Sequence, residues 1–322
     1  CTKRIQTYCE NGMIGGINFV NKLLKLIPLL VITVLLSACS SFGAAGKEIT
    51  LRGKNFTEQY LLSEMTGFLL QEEGFKVNQM NNLGSSVVRS ALENGQVDMM
   101  WEYTGTALIT YMGEEPVADP EKAFEIVKDN DSKNDIHWMN MSKVNNTYAL
   151  ALRSEQSQEL GIKSISDLAD YINENPGKLT IASDAEFANR PDGLKGVEKT
   201  YSFEFGSSQI KQMDIGLTQR ALDNEQVDVS VAFETDATIK NFDLVTLEDD
   251  EQFFPPYRAA VAISQEMHEK YPEIEEITAR LSEKLNSDIM RDLNYRVDIK
   301  GESVSVVAYE WLVENDLIIE EE

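Results

Sequence analysis

Histidine is scarce in this chain: His137 and His268 are the only two among 322 residues. Catalysis by an imidazole base therefore has little to draw on. His137 follows a polar stretch and precedes Trp138, so a half-buried structural role is expected; His268 falls in a Glu- and Lys-rich helix expected to be exposed. Cysteine is scarcer still in the part expected to fold. Of three, Cys1 and Cys9 lie near the start and Cys39 is the last. With no second thiol after residue 38, an intramolecular disulfide is excluded and stability rests on the core. No Gly-x-Ser-x-Gly elbow and no phosphate-binding P-loop occur. Glu248-Asp249-Asp250-Glu251 lacks the spacing of a calcium loop and reads as a solvated turn. No enzyme, no metal and no cofactor is expected. Positive charge is also short: 29 Lys+Arg face 54 Asp+Glu, a formal net charge of −25. That balance argues against nucleic acid or anionic lipid as a partner.

Long apolar runs are missing as well. Leu26 to Leu36 is an apolar stretch of 11 residues, too short for a stable membrane span. Lys22 and Lys25 precede it, and Leu36-Ser37-Ala38-Cys39 closes it. Small residues followed by cysteine form a lipobox, in which the thiol is acylated and the chain is cut just before it. Residues 1–38 are thus expected to be a signal peptide, with 1–12 as upstream extension and Met13 as the start. Residues 39–47, with Gly43-Ala44-Ala45-Gly46, read as a lipidated tether. The expected location is the extracytoplasmic face of the cell membrane, held there by the lipid alone. Removing 38 of 322 residues leaves 284, enough for one large or two medium domains.

Strand and helix patterns alternate along this remainder. Glu48 to Arg52, Lys76 to Met80 and Val97 to Trp101 read as strands. Helices are predicted from Thr57 to about Glu73, stopped by Gly74, and around Val87 to Glu93. Asp119-Pro120 marks a helix start with Asp119 as N-cap, and Ser164-x-x-Asp167 is a capping-box signal. Ala259 to Ile263 reads as a strand. One helix is predicted through Ile274, Ile277, Leu281, Leu285 and Ile289, and a last one through Val304, Val307, Ala308, Trp311 and Leu312. Such alternation implies an α/β fold.

The sequence also repeats itself. Ala91-Leu92-Glu93-Asn94-Gly95-Gln96-Val97-Asp98 returns as Ala221-Leu222-Asp223-Asn224-Glu225-Gln226-Val227-Asp228, an offset of 130 residues. The same offset carries Ile49-Thr50-Leu51 onto Leu179-Thr180-Ile181. Two similar lobes are the physical reading, with a cleft at the carboxyl ends of their parallel strands. Residues 48–147 plus 257–322 would form one lobe and 148–256 the other, with crossings near Thr147-Tyr148 and at Pro255-Pro256. The loops expected at the cleft carry Lys54, Asn55 and Thr57; Trp101, Tyr103 and Thr106; Asp184, Glu186 and Arg190; and Phe233, Glu234 and Asp236. Cations, hydroxyls and aromatics meet there without a catalytic set. Recognition is what these groups can do. A quaternary ammonium has no N–H to donate, so aromatic faces must hold it. A carboxylate needs Lys, Arg, hydroxyls or helix N-terminal amides.

Four segments in order carry a more specific likeness. They are Lys54-Asn55-Phe56-Thr57-Glu58-Gln59, Glu102-Tyr103-Thr104-Gly105-Thr106, Glu186-Phe187-Ala188-Asn189-Arg190-Pro191-Asp192-Gly193 and Phe253-Phe254-Pro255-Pro256-Tyr257. Over residues 47 to 318 the chain resembles the glycine betaine/carnitine/choline-binding proteins of osmoprotectant ABC importers. The resemblance implies a two-lobed periplasmic-binding-protein fold, type II-like, that closes on its ligand. It implies an ammonium cage of Tyr103, Tyr148, Phe233 and Tyr257, where Phe233 stands in for the family's usual tyrosine. Lys54, Thr106, Asn146 and Arg190 would face the carboxylate. Phe233 is also the repeat partner of Tyr103. Permease and ATPase subunits are the implied partners of a monomeric binding protein. A larger trimethylammonium betaine such as ergothioneine, or a bile-type compound, would suit the same cage. A sensor lipoprotein without a transport role is the reading from another class.

Overall fold

The computed structural model describes residues 46–319. The expected signal peptide, Cys39 and nearly all of the tether lie outside the described residues. The described strands form two five-stranded sheets of like plan. The first runs, in spatial order, β2 (Lys76–Leu83), β1 (Glu48–Lys54), β3 (Met99–Tyr103), β10 (Arg258–Ser264) and β4 (Ile136–Asn145). The second runs β7 (Ile210–Gln212), β6 (Ile181–Ser183), β8 (Val229–Phe233), β5 (Tyr148–Arg153) and β9 (Leu244–Thr246). In the first, β1 is parallel to both β2 and β3, and β10 is antiparallel to β3 and β4. In the second, β6 is parallel to β7 and β8, and β5 is antiparallel to β8 and β9. This is a mixed α/β architecture. β3 and β8 are buried along their whole length, as strands covered on both faces must be.

The sequence repeat is reproduced in the hydrogen bonding. Leu51 lies opposite Met99, and Ile181 opposite Val229. The Thr50 N–H donates to Asp98 Oδ2 at 2.6 Å, and the Thr180 N–H to Asp228 Oδ2 at 2.8 Å. Each aspartate follows a helix, Ser85–Glu93 or Ile215–Asp223, and ties the helix-to-strand turn to the opening strand of its sheet. Both turns need a left-handed residue. Gly95 takes φ +69° and Glu225 φ +59°, so the second copy carries backbone strain that the first avoids with glycine.

Local chemistry sets the other boundaries. The Thr57–Glu72 helix stops before Gly74, which takes φ +83°. Asp119 caps the Pro120–Asp131 helix by accepting from the Lys122 N–H at 2.9 Å. Ser164 and Asp167 form a complete capping box on the Ile165–Glu174 helix. Three expectations are corrected. The strand predicted at Val97 to Trp101 runs instead from Met99 to Tyr103, because Asp98 is spent on the turn. Trp101 is therefore mid-strand and leaves the cleft: it is fully buried and donates its indole N–H to Thr66 Oγ1 at 2.8 Å. The helix predicted through Ile274 to Ile289 is two, Glu273–Lys284 and Ser287–Asp298. Leu285 and Asn286 are extended between them, and Asn286 caps the second by accepting from the Ile289 N–H at 3.0 Å. Apolar spacing continued across the break because both helices face the same core. Lastly, His268 is not on a free face: its ring stacks on His137 with centroids 3.8 Å apart.

One core cluster includes Leu51, Trp101, Leu150, Ile181 and Val231, and so contains residues of both sheets. The chain leaves the first sheet at Asn145 and enters the second at Tyr148; it leaves β9 at Thr246 and re-enters the first sheet at Arg258. These two connections bring the strand ends of both sheets to one place.

Candidate ligand site

The carboxyl ends of β1, β3 and β8, the start of β5 and the segment before β10 surround one small cavity. Its lining includes Lys54, Tyr103 and Thr106 from the first sheet's side, and Arg190 and Phe233 from the second. Asn146, Tyr148 and Tyr257 reach it from the two connections. All eight residues expected from the sequence to make a cage and a carboxylate site thus line a single space. All are also buried, Tyr148 being the most exposed at 8%.

The aromatics pack against each other. Tyr148 touches Phe233 at 4.9 Å between centroids, and meets Tyr257 edge to face at 5.5 Å. The pairing of β5 with β8 explains the first contact, since Tyr148 lies directly opposite Phe233. Phe56 stands between Tyr103 and Phe233, at 6.2 Å and 5.3 Å, nearly parallel to both. Phe187 and Phe254 back the Tyr148 ring at 4.9 Å and 6.0 Å. The space left between these rings is only about 20 Å³. That suits a water molecule, so a trimethylammonium group enters only if the walls part.

Each tyrosine hydroxyl has a fixed partner. Tyr103 donates to Glu58 Oε1 at 2.7 Å and accepts from Gln59 Nε2 at 3.1 Å. Tyr148 accepts from Arg190 at 3.0 Å. Tyr257 donates to Asp192. Burial pushes all three phenols up, and the neighbouring Glu58 and Asp192 carboxylates push Tyr103 and Tyr257 further. They are neutral rings with their electron-rich faces intact. The Tyr257 ring lies flat against Gly105, where an added Cβ would come within 2.7 Å of it.

Two cations border the rings, and each has a carboxylate of its own. The Lys54 ammonium pairs with Glu102 and lies 5.0 Å from the Tyr103 centroid. The Arg190 guanidinium holds Asp192 through two bonds, at 2.8 Å and 2.5 Å. It sits 5.1 Å from the Tyr148 centroid and 6.0 Å from that of Tyr257, and donates to Thr106 Oγ1 at 3.3 Å. Burial disfavours its charge, but Tyr148 and Asp192 outweigh that and hold its pKa above the ordinary arginine value. Asn146 donates to Glu58 Oε1 at 2.8 Å and to Thr235 Oγ1 at 3.0 Å.

Of the other loop residues expected at the cleft, Asn55, Asp184 and Glu186 do line this cavity. Thr57 and Asp236 line its larger neighbour, of about 450 Å³, which shares Phe56, Asn146 and Phe233 with it. Glu234 is exposed and accepts from Asn145 at 3.1 Å. Sequence reasoning missed Phe56, Phe187, Phe254, Glu58 and Asp192 as members of the site. Each lies inside one of the four quoted segments, so the signal was present. Which residues of a segment turn inward depends on the helices starting at Thr57 and Ala185, which sequence patterns do not orient.

Asp236 joins the site to pH. Its Oδ2 accepts from the Phe233 N–H at 2.7 Å and from Gln219. Burial pushes its carboxyl up to about 7, against those two hydrogen bonds. A carboxyl raised in the folded state contributes stability that is full below its unfolded value, near 4, and is lost as pH rises through about 7. The melting temperature of the parent is therefore expected to fall relative to Asp236→Asn as pH rises from 4 to 7, and to track it above. Parallel melting curves across that window would contradict this placement of the proton.

Comparisons with known proteins fit this geometry. Residues 47–314 match the family model of the substrate binding domain of ABC-type glycine betaine transport systems. A glycine-betaine-binding protein of Pseudomonas aeruginosa is 39% identical over 290 residues, covering 87% of this chain and 93% of that protein. The carnitine transport binding protein OpuCC of Listeria monocytogenes is 35% identical, covering 92% of this chain and 97% of that protein. A crystal structure of a glycine betaine/carnitine/choline ABC transporter protein is 32% identical with a TM-score of 0.66, covering 84% of this chain and 99% of that one.

Proposed function

The chain belongs to the family of substrate-binding domains of ABC-type glycine betaine transport systems, and from that premise we propose that it takes up its ligand between four aromatic walls, Tyr103, Tyr148, Phe233 and Tyr257. A family of this kind delivers a bound solute to a permease and its ATPase, outside the cytoplasm, and is not enzymatic. Among the described residues, no helix is long and apolar enough to cross a membrane. The ligand we infer is a quaternary-ammonium solute: glycine betaine, carnitine or choline.

One observation carries the reading. Aromatic rings from both sheets and both connections converge on one buried space, with the Asp184 and Glu186 carboxylates at its border. A methylated cation is the ligand class that gains most from such walls. The polar end of the ligand meets Thr106, Asn146, Arg190 and Lys54. Since Lys54 and Arg190 already hold Glu102 and Asp192, they read a carboxylate by hydrogen-bond direction and add little net charge. The lobe assignment 48–147 plus 257–322 against 148–256 is part of the same reading, with closure about the two connections. A calorimetric screen of glycine betaine, carnitine, choline and ergothioneine tests it. One of the first three should bind tightest with one site per monomer. Tightest binding of ergothioneine would move the ligand to the larger betaines, and no heat with any of the four would sink the transport reading.

Anchoring is part of the proposal. Leu36-Ser37-Ala38-Cys39 ends an apolar run at the position of a lipobox. Cys39→Ala is expected to release the protein into the medium or leave it uncleaved. Normal processing with full membrane retention would refute the anchor.

A further inference from the structure

We propose that His137, His268 and Glu275 form a zinc-type divalent metal site on the side of the molecule remote from the ligand cavity. The chain holds two histidines in 322 residues, and the fold stacks them on one another. His137 lies on β4, at the edge of the first sheet, and His268 on the Gln265–Lys270 helix. Their rings are 3.8 Å apart and 18° from parallel. Glu275, in the first turn of the Glu273–Lys284 helix, completes the group. Its Oε2 is 3.1 Å from His268 Nε2 and 4.0 Å from His137 Nε2. One donor atom from each of the three residues lies within 4.8 Å of the others.

The chemistry favours a borderline divalent ion. Two imidazoles and one carboxylate are a recurrent zinc ligand set, and three protein ligands leave a fourth position for water. Bonds of about 2.0–2.1 Å in a tetrahedron put donor atoms ~3.3 Å apart. His268 and Glu275 already stand at that spacing, and His137 is less than 1 Å beyond it from the carboxylate. The His137 Nε2 atom is buried and has no hydrogen-bond partner, an arrangement that a ligand would satisfy. Exposure of 22%, 18% and 42% for the three side chains leaves room for entry and for a water. A bound ion would staple an edge strand to two helices. It would do so roughly 17 Å along the sheet from the cage, since His137 lies opposite Ile263 and Asn145 opposite Arg258, five residues of β10 apart, so the two sites can be tested separately.

The test is titration of the folded chain with Co²⁺ and then Zn²⁺. The parent should bind one Co²⁺ per chain with visible bands of tetrahedral type, and Zn²⁺ should displace it and raise the melting temperature. His137→Gln and Glu275→Ala should each weaken binding at least tenfold while glycine betaine still binds as in the parent. Glu275 is half-exposed, so the second variant guards against misfolding of the first. Absence of the visible bands in the parent would overturn the site. So would bands that persist unchanged in both variants, which would place the ion on the acidic surface or on the N-terminal cysteines.

Discussion

Phe233→Leu is expected to weaken binding of a trimethylammonium ligand about tenfold while leaving the chain folded. Leucine keeps most of the apolar volume and deletes only the π-face. A desolvated aromatic face contributes about 0.5–2 kcal/mol to a cation, and 1.4 kcal/mol is a factor of ten. Phe233 has no hydroxyl, so the substitution breaks no side-chain hydrogen bond. Its backbone N–H still donates to Asp236, and its place opposite Tyr148 is set by the strand pairing. The same cannot be said of Tyr103 or Tyr257, whose removal would take one hydrogen-bond donor from Glu58 or Asp192. Calorimetry on the variant, with a circular-dichroism melt as control, gives the answer. Unchanged affinity would make Phe233 a core residue and the four-walled cage wrong.

Asp192→Ala should cost more, and in stability first. Asp192 is 2% exposed and holds the guanidinium of Arg190, itself 6% exposed, through two bonds. It also accepts from Tyr257 and from Thr110, at 3.3 Å, on the other side of the cavity. Removing Asp192 leaves the buried guanidinium with only the Glu186 carboxylate, 3.6 Å away, and breaking a buried ion pair costs about 3–5 kcal/mol. Urea unfolding of the ligand-free variant should show a loss in that range. The variant should also respond differently to ligands. With Asp192 gone, a ligand carboxylate can neutralise Arg190, so glycine betaine should raise the melting temperature by more than choline does. A stability loss below about 1 kcal/mol, with equal responses to both ligands, would show that Arg190 finds solvent and that the pair does not brace the site.

Much of this was legible because the sequence repeats. An offset of 130 residues relates Thr50 and Asp98 to Thr180 and Asp228, and both pairs make the same hydrogen bond. Knowing where one lobe put Tyr103 was enough to put Phe233 beside the cavity. Caps were legible too, since Asp119 and Ser164 act within a few residues of themselves. What was not legible is long-range. Asn286 breaks a helix whose apolar spacing continues, because its partner surface is the same on both sides of the break. Trp101 was placed at the cleft by a strand drawn two residues early. Glu58 and Asp192 are 45 and 65 residues from the tyrosines they hold, and no local pattern announces such pairs. His137 and His268 meet only because β4 and β10 are neighbours.

The most direct test of the central claim is calorimetric titration of glycine betaine against its demethylated relatives, dimethylglycine, sarcosine and glycine. These share one carboxylate and differ only in the methyl groups on nitrogen. If aromatic walls select the ligand, affinity should fall at each removed methyl, and glycine should give no measurable heat. Glycine binding as tightly as glycine betaine would mean that hydrogen bonds to the ammonium, and not π-faces, hold it, and the cage would have to be abandoned.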